Sequence, residues 1–90
     1  MPTRETLQQV LSAKIDPERW LVLELRGSSN WTLQIVGPEP LTSDFVEISV
    51  IAAQSHAGKL AEKHLKQANA QAIVPPHLRW REAIRIEQAA

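Results

Sequence analysis

Two runs of alternating apolar and polar side chains, set on either side of a short turn cluster, constrain this chain more than any other feature. Leu21, Leu23 and Leu25 alternate with Val22, Glu24 and Arg26, and Trp31, Leu33 and Ile35 alternate with Thr32, Gln34 and Val36. Successive side chains of a strand point to opposite faces, so the pattern predicts two strands that share one apolar face. Between them, Gly27-Ser28-Ser29-Asn30 is rich in residues that tolerate positive φ or bond to their own backbone. The whole of residues 20–36 therefore predicts a β-hairpin.

The flanking segments are read around that hairpin. Leu7, Val10, Leu11 and Ile15 recur at three- and four-residue spacing and predict a helix over residues 4–14, with Thr3 as N-cap and Glu5 near the positive end of the helix dipole. Asp16-Pro17 interrupts it, and Asp16 to Trp20 reads as a short turn into the first strand. Gly37-Pro38-Glu39-Pro40 closes the hairpin, because proline lacks the donor that a central strand needs. A third strand is expected from Phe45 to Ala52, with Val46, Ile48 and Val50 on one face. Ala57, Leu60, Ala61, His64, Leu65 and Ala68 then predict a helix over 55–70, started by Ser55 and ending near Asn69. Gly58 within it suggests a close approach to the sheet. Pro75-Pro76 stops any helix. In the tail, Ile84 and Ile86 favour a strand over residues 78–88, while Trp80 and Ile84 would also share a helical face. The fold class expected is α+β: an antiparallel sheet of three or four strands with two helices packed on one face, in the order α-β-β-β-α and then a last β.

At 90 residues the chain reads as a single domain over 1–90. A domain this small buries only about 60–65% of its unfolded surface, and such domains often need a staple. It has no cysteine, so disulfides and thiolate zinc sites are excluded, leaving an efficient core or a partner. The N-terminus lacks a signal-peptide pattern, and no run approaches the roughly 18 apolar residues of a membrane span. A cytoplasmic protein with no membrane partner is the expectation. Formal net charge is zero, yet residues 1–53 hold four basic and seven acidic residues, a net of −3, while residues 54–90 hold six and three, a net of +3. Such asymmetry allows a basic face inside a neutral total.

The side chains that could carry chemistry are few. His56, His64 and His77 lack the i, i+4 spacing that sets two imidazoles on one side of a helix, and His64 falls on an apolar stripe, where a packed histidine is expected. No G-x-S-x-G elbow is present, and Ser28, Ser29 and Ser55 read as turn and cap residues. Glu24 and Glu47 sit on the polar side of strands, where carboxylates are usually solvated. Gly58-Lys59 lacks the glycine-rich loop of a phosphate cradle. The expectation is a non-enzyme with no catalytic residue, no metal and no cofactor. Catalysis would require a pocket joining His56 or His77 to Glu24, Asp44 or Glu47. The sharpest signal is basic: Lys59, Lys63 and Lys66 along one side of the second helix, then Arg79, Trp80, Arg81 and Arg85. Cations that grip phosphates, with an aromatic that stacks on bases, are the parts of a nucleic-acid site. A solvated helix face and a core tryptophan would produce the same residues.

The helix–strand–strand–strand–helix order resembles the double-stranded RNA-binding domain. Gly37-Pro38 closing a strand, the run Phe45-Val46-Glu47-Ile48-Ser49-Val50, and Lys59 and Lys63 in the alanine-rich segment from Ala57 to Ala72 carry the likeness, over about a third of the chain. The chain departs from that family in leaving no room for its third strand, in opening the helix with Gln54-Ser55-His56-Ala57-Gly58-Lys59, and in adding a strand from Trp20 to Arg26. The resemblance implies RNA contacts from the second helix. Small size and missing motifs lead first to a non-catalytic protein-interaction or adaptor module, with a protein partner or a second copy docked at a sheet edge. Binding of RNA or DNA through the basic residues of 55–85 comes second, and requires Lys59, Lys63, Arg79 and Arg81 to share one face.

Overall fold

The computed structural model describes residues 6–82. These form β1 (Leu7–Asp16), β2 (Arg19–Arg26), β3 (Asn30–Val36), β4 (Leu41–Val46), α1 (Val50–Gln67) and β5 (Arg81–Glu82). The strands make one five-stranded antiparallel sheet in the order β4-β3-β2-β1-β5, and α1 lies across one face. The class is α+β as expected, but with five strands and, among the described residues, one helix.

The expected hairpin is present. Leu21 pairs with Ile35, Leu23 with Leu33 and Leu25 with Trp31, all on the face that α1 covers. Gly27 makes the turn at φ 63, a conformation that costs glycine little.

The predicted N-terminal helix is instead β1, a strand hydrogen-bonded along β2. The reason is a second periodicity in the same residues. Leu11, Ala13 and Ile15 alternate with period two, are all buried, and lie on the helix-covered face, with Ala13 opposite Leu21 and Leu11 opposite Leu23. Val10, which strengthened the helical pattern, is buried on the opposite face beside Glu24. Asp16 and Pro17 open the short turn expected before the first strand of the hairpin. They make the β1–β2 turn, where the Glu18 amide donates to Asp16 Oδ1 at 2.8 Å. With a strand where that helix was expected, the order of the described elements does not match the double-stranded RNA-binding domain.

The third predicted strand is shifted. Pairing with β3 runs from Leu41 to Val46, and the chain then turns into α1 at Val50, inside the span expected to be extended. Leu41 and Phe45 pack on the core, whereas Val46 is 64% and Ile48 92% exposed, so the presumed apolar face of Val46 and Ile48 faces outward. Ser49 rather than Ser55 caps the helix, its Oγ accepting from the Ala52 amide at 3.1 Å. Asn69 stands at φ 56 just past the end. Its amide and that of Ala70 bond back to Lys66 and Leu65, tying off the last carbonyls. Ala53, Ala57, Ala61 and Leu65 form a buried i, i+4 stripe, and three alanines let the helix axis sit close to the sheet. Gly58 does not face that contact. A Cβ there would meet only Leu78 Cδ1, at 3.7 Å.

After α1 the chain runs back in an extended course. Ala70, Ala72, Val74, Leu78 and Trp80 pack on the core, while Gln71, Ile73, His77, Arg79 and Arg81 alternate outward. Among the described residues, pairing with β1 joins Leu11 with Glu82 and Ser12 with Arg81. The expected tail strand is therefore two residues long within the described span; Ile84 and Ile86, which motivated it, lie outside the described residues.

Candidate functional site

The point where β5 pairing stops at Ser12 opens one of the recesses. Beyond Ser12, β1 continues toward Asp16 paired with β2 on one side but without a described strand on the other, where residues 75–80 run without pairing to it. Pro75 and Pro76 lack the donors to extend pairing, and Leu78 and Trp80 turn into the core. What remains is a fork-shaped groove of about 510 Å³ between β1 and the returning segment, lined by Ser12, Ala13, Lys14, Trp20, Pro75, His77, Arg79 and Arg81.

Strand periodicity brings these side chains together. Ser12 and Lys14 lie on the face of β1 that α1 does not cover. Trp20 is paired with Lys14 across β2, and Arg81 with Ser12 across β5, so all share that open face. His77, Arg79 and Arg81 are the outward phase of the extended segment, each exposed. The Lys14 ammonium sits 5.8 Å from the Trp20 ring centroid, a cation–π distance, and the indole is 39% exposed. Three permanent cations and a histidine thus converge on an accessible aromatic, and among the described residues no carboxylate lines the groove.

The sequence-predicted residues divide around this recess. Arg79 and Arg81 line it. Trp80 points the other way: it packs on the core and borders a separate cleft between α1 and residues 74–80. Lys59 borders that cleft too, and with Lys63 it lines a third depression on the far flank of the helix. Lys66 lies in the last helical turn, where a cation suits the carbonyl end of the dipole, and borders none of the three. Arg85 lies outside the described residues. Arg79 and Arg81 lie on the side of the open sheet face, whereas Lys59 and Lys63 lie along the helix, so the four do not share the one face that nucleic-acid binding through them was expected to need. Sequence reading did not single out Lys14 or Trp20, and weighed His77 only as a metal or catalytic candidate. The Lys14–Trp20 pair becomes visible only once residues 7–16 are a strand; His77 and Arg79 show their phase only once 74–81 is seen to be extended.

The depression flanking the helix also joins His56 to Glu47. His56 Nδ1 lies 2.9 Å from Glu47 Oε2, and its ring stacks on Phe45 with centroids 4.2 Å apart. Glu47 is held in turn by its backbone: its carbonyl accepts from Trp31 Nε1 and its amide donates to Ser29. A carboxylate orienting an imidazole is the arrangement that a catalytic base requires. Among the described residues no hydroxyl is hydrogen-bonded to this ring, so the pair has an orienter but no nucleophile in contact. His64 is half-buried as expected, its Nε2 3.1 Å from the Glu39 carbonyl. Among the described residues, no three His, Asp or Glu side chains gather as a metal site would need.

The most buried charge lies at the opposite end of β2. Arg19 donates from Nε and Nη2 to the two Glu39 oxygens at 2.7 and 2.8 Å, and from Nη1 to Asp16 at 3.0 Å. The guanidinium depresses the Glu39 pKa. Asp16 is also lowered, first by the Glu18 amide and then by Arg19. This triad ties the β1–β2 turn to the β3–β4 connection and is structural.

Compared with family models, curated proteins and solved structures, the chain matches none. No helix among the described residues is long and apolar enough to cross a membrane.

Proposed function

We propose that this protein is a non-catalytic binding module that holds a nucleic-acid strand in the groove at the β1 edge. The carrying observation is the convergence of Lys14, His77, Arg79 and Arg81 around a 39%-exposed Trp20, with no carboxylate among the described lining residues. Guanidinium and ammonium groups take phosphates, and the indole offers a stacking surface for a base. The alternation of residues 75–81 supports this reading, because it aims every cation of the segment outward while Leu78 and Trp80 anchor the backbone. A cytoplasmic setting belongs to the same proposal and fits a chain without cysteine.

The test is fluorescence anisotropy with labelled RNA, comparing wild type with Arg79→Ala/Arg81→Ala. Both arginines are exposed, so the fold should survive, as circular dichroism can show. Affinity should fall about tenfold or more and the salt dependence should flatten. Equal binding by the two proteins would sink the proposal.

A protein partner, or a second copy of the chain, is the second reading, and the β4 edge favours it. β4 ends the sheet order, and Val46, Ile48 and Ile51 stand exposed beside it. An added strand would find main-chain hydrogen-bonding groups along that edge and apolar side chains near its end.

A further inference from the structure

We infer that the bound strand is single and does not end in the groove: it passes His77 into the cleft beside α1 and reaches Lys59 and Lys63. This inference rests on the nucleic-acid reading above.

Three depressions join by shared walls. Pro75 and His77 border both the β1-edge groove and the cleft between α1 and residues 74–80. Ser55 and Lys59 border both that cleft and the depression on the far flank of the helix, where Lys63 and His56 stand. Followed in this order, the cationic side chains run from Arg81, Arg79 and Lys14, past His77, to Lys59 and then Lys63. The helix lysines and the tail arginines therefore belong to successive stretches of one track. Among the described residues, two carboxylates lie along it. Glu47 is engaged by His56 at 2.9 Å, and Glu62 borders the middle cleft.

The path selects a single strand on two grounds. It turns from the open sheet face, over the ridge of residues 75–77, to the helical side of the molecule. Duplex DNA has a persistence length of about 50 nm, whereas the described residues span 42 Å along their greatest dimension. A stiff duplex cannot follow a bend on that scale; an unpaired strand can. The second ground is Trp20. Its indole lies on the open face of the sheet, flanked by Lys14 and paired with Val36. Stacking on it requires a base whose face is free, and a duplex offers none along its length.

The experiment compares an RNA strand of about four nucleotides with one of about twelve, within the range of known single-strand site sizes, and with a blunt duplex of the longer one. Each is titrated by anisotropy at several salt concentrations against wild type, Lys59→Ala/Lys63→Ala and Arg79→Ala/Arg81→Ala. For the lysine variant, affinity for the longer strand should fall about tenfold, and the slope of log K against log salt should fall by about 1.4, two phosphate contacts at about 0.7 each. The shorter strand should bind it as it binds wild type, and the duplex should bind wild type at least about tenfold more weakly than the single strand. If the arginine variant weakens both strands while the lysine variant weakens neither, the groove stands and the track is overturned. Equal binding of duplex and single strand would overturn the preference. Failure of both strands to bind wild type would bring down the groove reading and the inference together.

Discussion

Arg19 is the one buried charged side chain among the described residues, and its two partners set how the protein responds to acid. Asp16 and Glu39 both have carboxyl groups held below their ordinary range. A depressed pKa means the folded state binds its proton later than the unfolded chain does. The resulting stability is complete above the unfolded value, about 4 for carboxyls, and is lost as pH falls through the folded values. Urea midpoints should therefore be flat with respect to these groups from neutrality down to about pH 5 and decline below about pH 4. Arg19→Met should lower the plateau and make the acid decline shallower. It should not abolish it, because Asp16 keeps the Glu18 amide. Parallel acid limbs in the two proteins would show that Arg19 is not the cause. Gly37 completes the same corner. At φ 151, a Cβ on it would lie 2.8 Å from the Glu18 carbonyl oxygen, so the close approach of the two loops needs glycine there. Sequence reading marked Gly37-Pro38-Glu39-Pro40 as the end of a strand. It could not show that Glu39 reaches twenty residues back to Arg19, since only the antiparallel pairing of β2 with β3 brings them together.

At the scale of elements, periodicity was readable where a single period fitted and misleading where two did. Residues 20–36 alternate without a competing helical stripe, and the hairpin was legible. Residues 7–15 satisfy both periods, and burial of Ala13 against Leu21, a pairing between segments, decided for the strand. The run from Val46 to Val50 alternates well but spans a strand end, a connection and a cap. Ser49 bonding to the Ala52 amide, a local signal, ends the extended course there. The helix was legible as an amphipathic stripe, and its glycine now has a different meaning. Gly58 was expected at a tight contact with the sheet, yet a Cβ would meet only Leu78 at an ordinary van der Waals distance. Gly58→Ala should therefore stabilise the protein by about 0.5–1 kcal/mol, the cost of glycine within a helix. For a domain of this size that is a rise in Tm of roughly 2–8 °C. Scanning calorimetry checks it. An unchanged or lower Tm would mean that the wall between α1 and residues 74–80 does not tolerate even a methyl group.

On the scale of the whole molecule, the split between a net of −3 and a net of +3 hinted at a basic surface without locating it. Arg79 and Arg81 were legible as candidates because they flank an aromatic, but the aromatic beside them faces the core. The exposed indole, Trp20, comes from a strand some sixty residues earlier. Only the sheet order β2-β1-β5 places it near them, and that order depends on β1 being a strand. The same architecture leaves the sheet covered by a helix on one face alone, so a ligand on the open face and a partner on the β4 edge would each add to a small core. Thermal unfolding separates these two sources of stability. A ligand that binds only the folded state at about a hundred times its Kd adds about 2.7 kcal/mol, a shift of roughly 10–20 °C for a domain this size. If the groove is the working surface, Tm should rise by that order with saturating single-stranded RNA and stay constant as protein concentration is varied about a hundredfold. If a second copy at β4 is what the protein uses, Tm should instead climb with protein concentration. Val46→Lys, which places a charge on the exposed end of that edge, should then remove the climb while leaving any response to RNA intact.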